Sequence, residues 1–356
     1  MGEPSTPQET QDHVRAQVNE GAGVEEEGME RDGAERGGVA YLRPRAEVGV
    51  EGLTPRFPER SRRLVERLSR EILFLDGAMG TMLEGENLSA RDFGGPGLQG
   101  LNEKLNETRP ELIESVHRAY FEAGAHLATT NTFGAHPVLL KEYGLAQEAQ
   151  ELARKGAAWA LRAAKAHDPR GEAAFVAGSL GPTSKSLSLT GGVSFEEMAD
   201  GYEAGVLGLM DGGADVLLLE TAMDAINLKA AFSGMDRAFN RRGELLPVMV
   251  SVTLEPNGRL LGGQTVEAAL SAFAHRPLLS FGINCSTGPD KMREPVQALA
   301  AHAPFAVSCH PNAGLPDEEG RYTLSPQGLA LEMKGFAEKG WVDIVGGCCG
   351  KIGRAH

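Results

Sequence analysis

The chain has 356 residues, a formal net charge of −14 and four cysteines. That length accommodates one large barrel or two smaller domains, and an acidic chain without clustered Lys and Arg is a poor match for nucleic acid. Four cysteines, two of them adjacent, do not make a disulfide framework, which favours a reducing compartment and metal or catalytic use. No stretch approaches the ~18 apolar residues of a membrane span, and the start lacks the basic-then-apolar pattern of a secretory signal. The expectation is a cytoplasmic protein with neither membrane nor nucleic acid as a partner.

In chain order, residues 1–63 are rich in Glu, Gly, Pro and Arg, with few large apolar residues and no sustained period of 2 or 3.6. They are expected to be a disordered amino-terminal tail or an overextended start. From residue 64 onward, short apolar runs alternate with amphipathic helical stretches, the pattern of repeated βα units around a parallel sheet. Strands are predicted at 72–75, 126–130, 173–177, 216–219, 248–252, 279–283, 305–308 and 342–345, with helices over 110–123, 146–166, 194–212 and 325–339. Eight strands fit a (β/α)₈ TIM barrel over 64–350 better than an open doubly wound sheet.

Almost every predicted strand ends in a polar or glycine-rich group: DGAMGT, TNTFGAH, GSLGPTS, ETAMD, NCSTG, HPNAGLP and GGCCG. In a barrel these ends share one face, the face that carries active sites. Cys348 and Cys349 in GGCCG, with Cys285 in GINCS, bring three thiols to the ends of two strands. Three protein ligands with an open fourth position is the catalytic zinc arrangement. Packing is the alternative use of a free cysteine, and it is the preferred reading for Cys309.

The other strand ends offer polar chemistry with plainer alternatives. Asp76 is placed to hold an ammonium group or to cap a turn. The backbone around Gly77 and Ala78 is placed to form an anion-binding nest. Glu220 ends an apolar run and, if buried, needs a cationic ligand or a basic neighbour. Asn131 and Asn284 are placed to orient a polar substrate or to satisfy nearby backbone, and His310 to act as ligand, base or hydrogen-bonded rim residue. Two carboxylates and an anion nest suit an amino-acid head group, and three thiolates suit a thiol substrate held on zinc.

Taken in this order, LDGAMGTML, TNTFGAH, GSLGPTS, ETAMD, GINCS, PNAGLP and GGCCG resemble the homocysteine S-methyltransferase family, and within it the homocysteine-binding module of cobalamin-dependent methionine synthases. The resemblance covers about residues 64–350. It implies a zinc-bearing barrel that methylates L-homocysteine to L-methionine, with zinc on Cys285, Cys348 and Cys349. It also places amino-acid contacts at Asp76, Glu220 and the backbone around Gly77 and Ala78. Methylcobalamin is the implied methyl donor, carried with folate on separate modules in cis or trans. Betaine or S-methylmethionine as direct donor, another thiol as acceptor, or an inactive metal-binding fragment are the alternatives. After GGCCG the family continues into a last barrel helix, whereas residues 351–356 read KIGRAH. The expectation is therefore a barrel lacking its eighth helix, with a truncated or non-native end.

Overall fold

The computed structural model describes residue 50 and residues 52–315 and 322–350. The tail before residue 50, Pro316 of the PNAGLP segment, and the end 351–356 lie outside the described residues. Eight parallel strands form one sheet: β1 (Leu73–Phe74), β2 (Leu127–Thr129), β3 (Phe175–Leu180), β4 (Val216–Ala222), β5 (Val248–Val252), β6 (Ser280–Asn284), β7 (Ala306–His310) and β8 (Ile344–Val345). From β2 to β8 each strand pairs with its neighbours in sequence, and β1 pairs with β8. Between β1 and β2 runs an isolated parallel bridge, Leu75 to Leu127, where the His126 N–H donates to the Phe74 carbonyl at 2.7 Å and the Asp76 N–H to that of Leu127 at 2.9 Å. The barrel is thus nearly closed, with this bridge covering the edges that β1 and β2 would otherwise expose.

All seven strand connections carry helices, and a further helix precedes β1. The principal ones are α1 (Glu59–Leu68), α2 (Met79–Glu84), α3 (Pro110–Glu122), α4 (Ala149–His167), α5 (Phe195–Gly212), α6 (Ala225–Arg242), α7 (Val266–Phe273), α8 (Pro289–His302) and α9 (Pro326–Glu338). Local sequence sets their ends. Ser194 and Glu197 form a reciprocal capping box at the start of α5, and Asp224, Thr265 and Ser325 each accept a backbone N–H at the starts of α6, α7 and α9. Such a cap contributes about 1 kcal/mol and fixes where the strand-end loop stops. No helix follows β8 among the described residues.

Alternation along the strands separates two cores. Val176, Leu217, Leu219, Val250, Ile283 and Val307 point outward against the helices. Leu73, Leu127, Phe175, Val216, Leu218, Met249 and Ile344 point into the barrel. That inner layer also contains Phe57, Leu64, Val65 and Leu68, so α1 lies across the amino-terminal mouth of the barrel as a plug. The packed unit therefore begins ahead of residue 64, a correction to the expected extent of the disordered tail. The segment looks like tail because α1 is mostly Arg and Glu. Its three core residues fall on one face, and its order comes from contact with distant strands. Arg60 grips Asp215 with two hydrogen bonds of 2.8 Å and donates to the Ala174 carbonyl, and the Ser61 hydroxyl donates to the Asp215 carbonyl at 2.6 Å.

Candidate active site

At the carboxyl ends of the strands lies a cavity of ≈ 540 Å³. All nine residues singled out from the sequence line it: Asp76, Gly77, Ala78, Asn131, Glu220, Asn284, Cys285, Cys348 and Cys349. They come from β1, β2, β4, β6 and β8 or the turns after them, so only closure of the barrel brings them together.

The Sγ atoms of Cys285, Cys348 and Cys349 all lie within 4.8 Å of one another, and those of Cys285 and Cys349 are 3.9 Å apart. Two sulfurs 2.3 Å from a tetrahedral centre stand about 3.8 Å apart, so the donor set and spacing fit a zinc ion. The loop after β7 holds the cysteine turn in place. The Cys348 N–H donates to the Pro311 carbonyl at 2.9 Å, the Cys349 N–H to Asn312 Oδ1 at 3.1 Å, and the Ala313 N–H to the Cys349 carbonyl at 3.0 Å. Cys285 leaves β6 with φ 62°, followed by Ser286 at 64°. These and Thr221, at 57°, are the only non-glycine residues with left-handed φ among the described residues. All three sit at strand ends around the site, where backbone strain re-aims side chains.

Electrostatics set the state of the thiols. Hydrogen bonds from Cys285 and Cys348 pull the Cys349 thiol down, and donation to its two neighbours pushes Cys348 up. Without a cation only one of the three sulfurs ionises readily, because a second negative charge would sit within 4.8 Å of the first. The Tyr322 hydroxyl, on the cavity wall, is pushed up to about 12 by burial and by the nearby sulfurs, and so keeps its proton.

The two carboxylates are equally constrained. Asp76 accepts the Thr129 N–H at 2.8 Å and the Thr129 hydroxyl at 2.9 Å. Burial pushes its carboxyl well above the usual range, Thr129 works against that shift, and Glu220 adds to it. Glu220 faces the cavity, takes a short hydrogen bond from the Ser179 hydroxyl, and is raised to about 7, first by burial and then by the Cys349 charge. Among the described residues the lining also includes Glu84 and Glu103 but no Lys or Arg. A pocket so built attracts cations.

The two asparagines turn out to be occupied. Asn284 Oδ1 accepts from the Thr221 N–H at 2.9 Å and the Ser251 hydroxyl at 2.6 Å, and its Nδ2 donates to Thr221 Oγ1 at 2.8 Å. It clamps the strained Thr221 at a bulge in β4, between Leu219 and Ala222, beside Glu220. Asn131 Nδ2 donates to the Asn102 carbonyl at 2.7 Å and to Asn106 Oδ1 at 3.0 Å, which leaves only its oxygen for the cavity. Gly77 and Ala78 form the turn into α2, anchored by the Tyr120 hydroxyl on the Ala78 carbonyl at 3.2 Å. His310 lines the floor as a buried imidazole whose pKa burial lowers to about 4, and its Nε2 has no partner among the described residues. Cys309 points the other way, into the outer core 3.7 Å from Met292 Sδ, in its packing role.

Thr129, Ser179, Asn312 and Tyr322 were not among the candidates read from the sequence. Thr129 and Ser179 orient the two carboxylates. Their signal was available, since each lies on a predicted strand or in its terminal motif. Tyr322 gave none, because it joins no motif.

A (β/α)₈ barrel whose carboxyl-end cavity joins a three-cysteine candidate metal centre to two buried carboxylates defines a thiol-binding enzyme class. The family model of homocysteine S-methyltransferases matches residues 73–353, and the chain belongs to that family. It is 42% identical over 290 residues to the methionine synthases of Mycobacterium leprae and of Mycobacterium tuberculosis, a match spanning 81% of this chain and 24% of each relative. The chain thus spans about a quarter of the length of these relatives. Among solved structures, the homocysteine methyltransferase MmuM from Escherichia coli in its metallated form superposes with a TM-score of 0.65 at 25% identity, covering 83% of this chain and 96% of that one.

Proposed function

We propose that this chain is the homocysteine-binding module of an enzyme of the cobalamin-dependent methionine synthase type, which methylates L-homocysteine on sulfur to give L-methionine. The observation that carries this reading is one cavity holding three sulfurs within 4.8 Å of one another together with Asp76 and Glu220, and no Lys or Arg among its described lining. Such a pocket asks for two cations, a metal at the sulfurs and an ammonium at the carboxylates.

Cys285, Cys348 and Cys349 are the residues that would hold zinc. Bound zinc stabilises the deprotonated form of a coordinating thiol at neutral pH. Asp76 and Glu220 receive the substrate's ammonium, whose charge favours their ionised forms and offsets their burial. Backbone at Gly77 and Ala78 faces the substrate's carboxylate, Asn131 offers its side-chain oxygen, and Asn284 acts through Thr221 to keep Glu220 aimed inward. With the amino-acid head fixed, the side-chain sulfur is held at the cysteine cluster, and fixing both ends supplies orientation that a dissolved thiol lacks. In the transfer the sulfur lone pair forms the S–CH₃ bond as the bond from methyl to donor breaks. Its electron pair leaves with the donor, and the thiol proton passes to solvent.

The identity to methionine synthases favours methylcobalamin, carried with folate on further modules, as the donor. Betaine or S-methylmethionine as a direct donor is the second reading, motivated by the likeness to the homocysteine methyltransferase MmuM. X-ray absorption at the zinc edge tests the shared core of both. Addition of L-homocysteine is expected to change three sulfurs and one lighter atom to four sulfurs. A protein without zinc, or a site unchanged by homocysteine, would refute it. Methyl transfer from each donor to homocysteine then separates the two readings.

A further inference from the structure

Three buried polar atoms on β6 and β7 have no partner among the described residues: Oγ of Ser280, Oγ of Ser308 and Nε2 of His310. Register places all three on the inner face of these two adjacent strands. Ser280 pairs with Met249 on one side and Ala306 on the other, Ser308 pairs with Ile344, and Met249, Ala306 and Ile344 belong to the inner core. Residues two apart on a strand share a face, so His310 follows Ser308 on the inside. The three form a column that rises from Ser280 on β6 through Ser308 on β7 to His310 at the cavity floor.

Neighbouring side chains leave these atoms uncompleted. Gly282 pairs with Ser308, and a Cβ at 282 would come 2.1 Å from Ser308 Oγ, so this hydroxyl lies across β6 at the level between Ser280 and Asn284. Asn284 is already engaged with Thr221 and Ser251. A Cβ at Gly346 would come 3.3 Å from His310 Cδ2, the carbon next to Nε2, so that edge of the ring lies against bare β8 backbone. Burying one hydroxyl or ring nitrogen without a partner is costly, and three in one column call for a shared one.

We propose that this column is a binding site for ordered water inside the barrel, with Ser280 Oγ, Ser308 Oγ and His310 Nε2 as its protein ligands. Water suits the mixture because it both donates and accepts, and so completes a hydroxyl in either role and an imidazole nitrogen in either tautomer. Successive inner residues of a strand stand about 6.6 Å apart, close to the span of two hydrogen bonds through one water. The position has a consequence for the site above. The His310 carbonyl takes the Cys285 N–H at 3.0 Å, and the Pro311 carbonyl takes the Cys348 N–H at 2.9 Å. Water beneath His310 therefore supports the end of β7 that holds both cysteine segments. The inference is independent of the substrate and of the metal.

Two measurements on the full chain test it. A crystal structure at a resolution that shows ordered solvent is expected to carry a water within about 3.2 Å of at least two of the three atoms. Thermal denaturation of Ser308→Ala and of Ser280→Ala then reads the sign of each hydroxyl's contribution. A hydroxyl bonded to internal water stabilises the fold, so each variant is expected to melt about 2 °C lower. A hydroxyl buried dry and unpartnered opposes folding, and its removal raises the melting temperature. A column without water in the density, or a raised melting temperature in either variant, overturns the proposal. The crystallographic arm needs no variant, so it decides the matter even where a substitution prevents folding.

Discussion

Replacing Glu220 by Gln isolates the electrostatic load of the cavity. The Glu220 carboxyl moves from an ordinary 4.5 in the unfolded chain to about 7 in the folded one. The folded chain therefore keeps a proton that the unfolded chain has released between those values. Stability falls as pH rises through that window and the loss is complete above it. A shift of this size corresponds to about 3 kcal/mol, as an upper figure because the side chain faces the water of the cavity. Glu220→Gln retains a partner for the Ser179 hydroxyl and removes the charge. In metal-free protein the variant is expected to match wild type near pH 5 and to exceed it by about 2–3 kcal/mol near pH 8 in urea denaturation. At the same pH it is expected to bind L-homocysteine at least tenfold more weakly by calorimetry, the carboxylate being the ammonium's partner. Equal stability of the two proteins at pH 8, or a variant that is the less stable, would refute the reasoning. Greater stability with unchanged homocysteine affinity would leave the buried charge in place but remove its assignment to the substrate.

Cys285→Ala and Cys348→Ala are each expected to abolish stoichiometric zinc binding at neutral pH, read by metal analysis of purified protein. Retention by both would remove the cysteine cluster as the metal site. Arg60→Ala leaves the buried Asp215 without its guanidinium partner and is expected to destabilise the barrel by about 3 kcal/mol in urea. Gly282→Ala would set a Cβ 2.0 Å from the Ser308 carbonyl oxygen inside the barrel, where no flexible side chain can yield. A loss of more than about 2 kcal/mol, or failure to fold, is expected on thermal denaturation.

The order of strands and helices was legible in the chain itself. Apolar runs of strand length, separated by capped amphipathic helices, are local signals, and a parallel βα repeat leaves few ways to bury both faces of its sheet. The cysteine pair, Asp76 and Glu220 were legible for a related reason: each breaks the local pattern at a strand end, where a charge or thiol has no packing purpose. Sequence by itself thus determined the barrel, the face that carries the site and the residue types of its chemistry. Tertiary structure alone decided four other matters. It brought Cys285 to within 3.9 Å of Cys349 across 64 residues of chain, because closure of the sheet through β7 fixes that distance. It made α1 a barrel plug, since a polar helix gains its order from the strands it covers. It committed Asn284 to holding Thr221, a pairing between β4 and β6 that no spacing announces. It seated Tyr322 on Gly350 beside the cysteines, because packing between segments far apart in the chain chooses partners by shape and leaves no periodic trace.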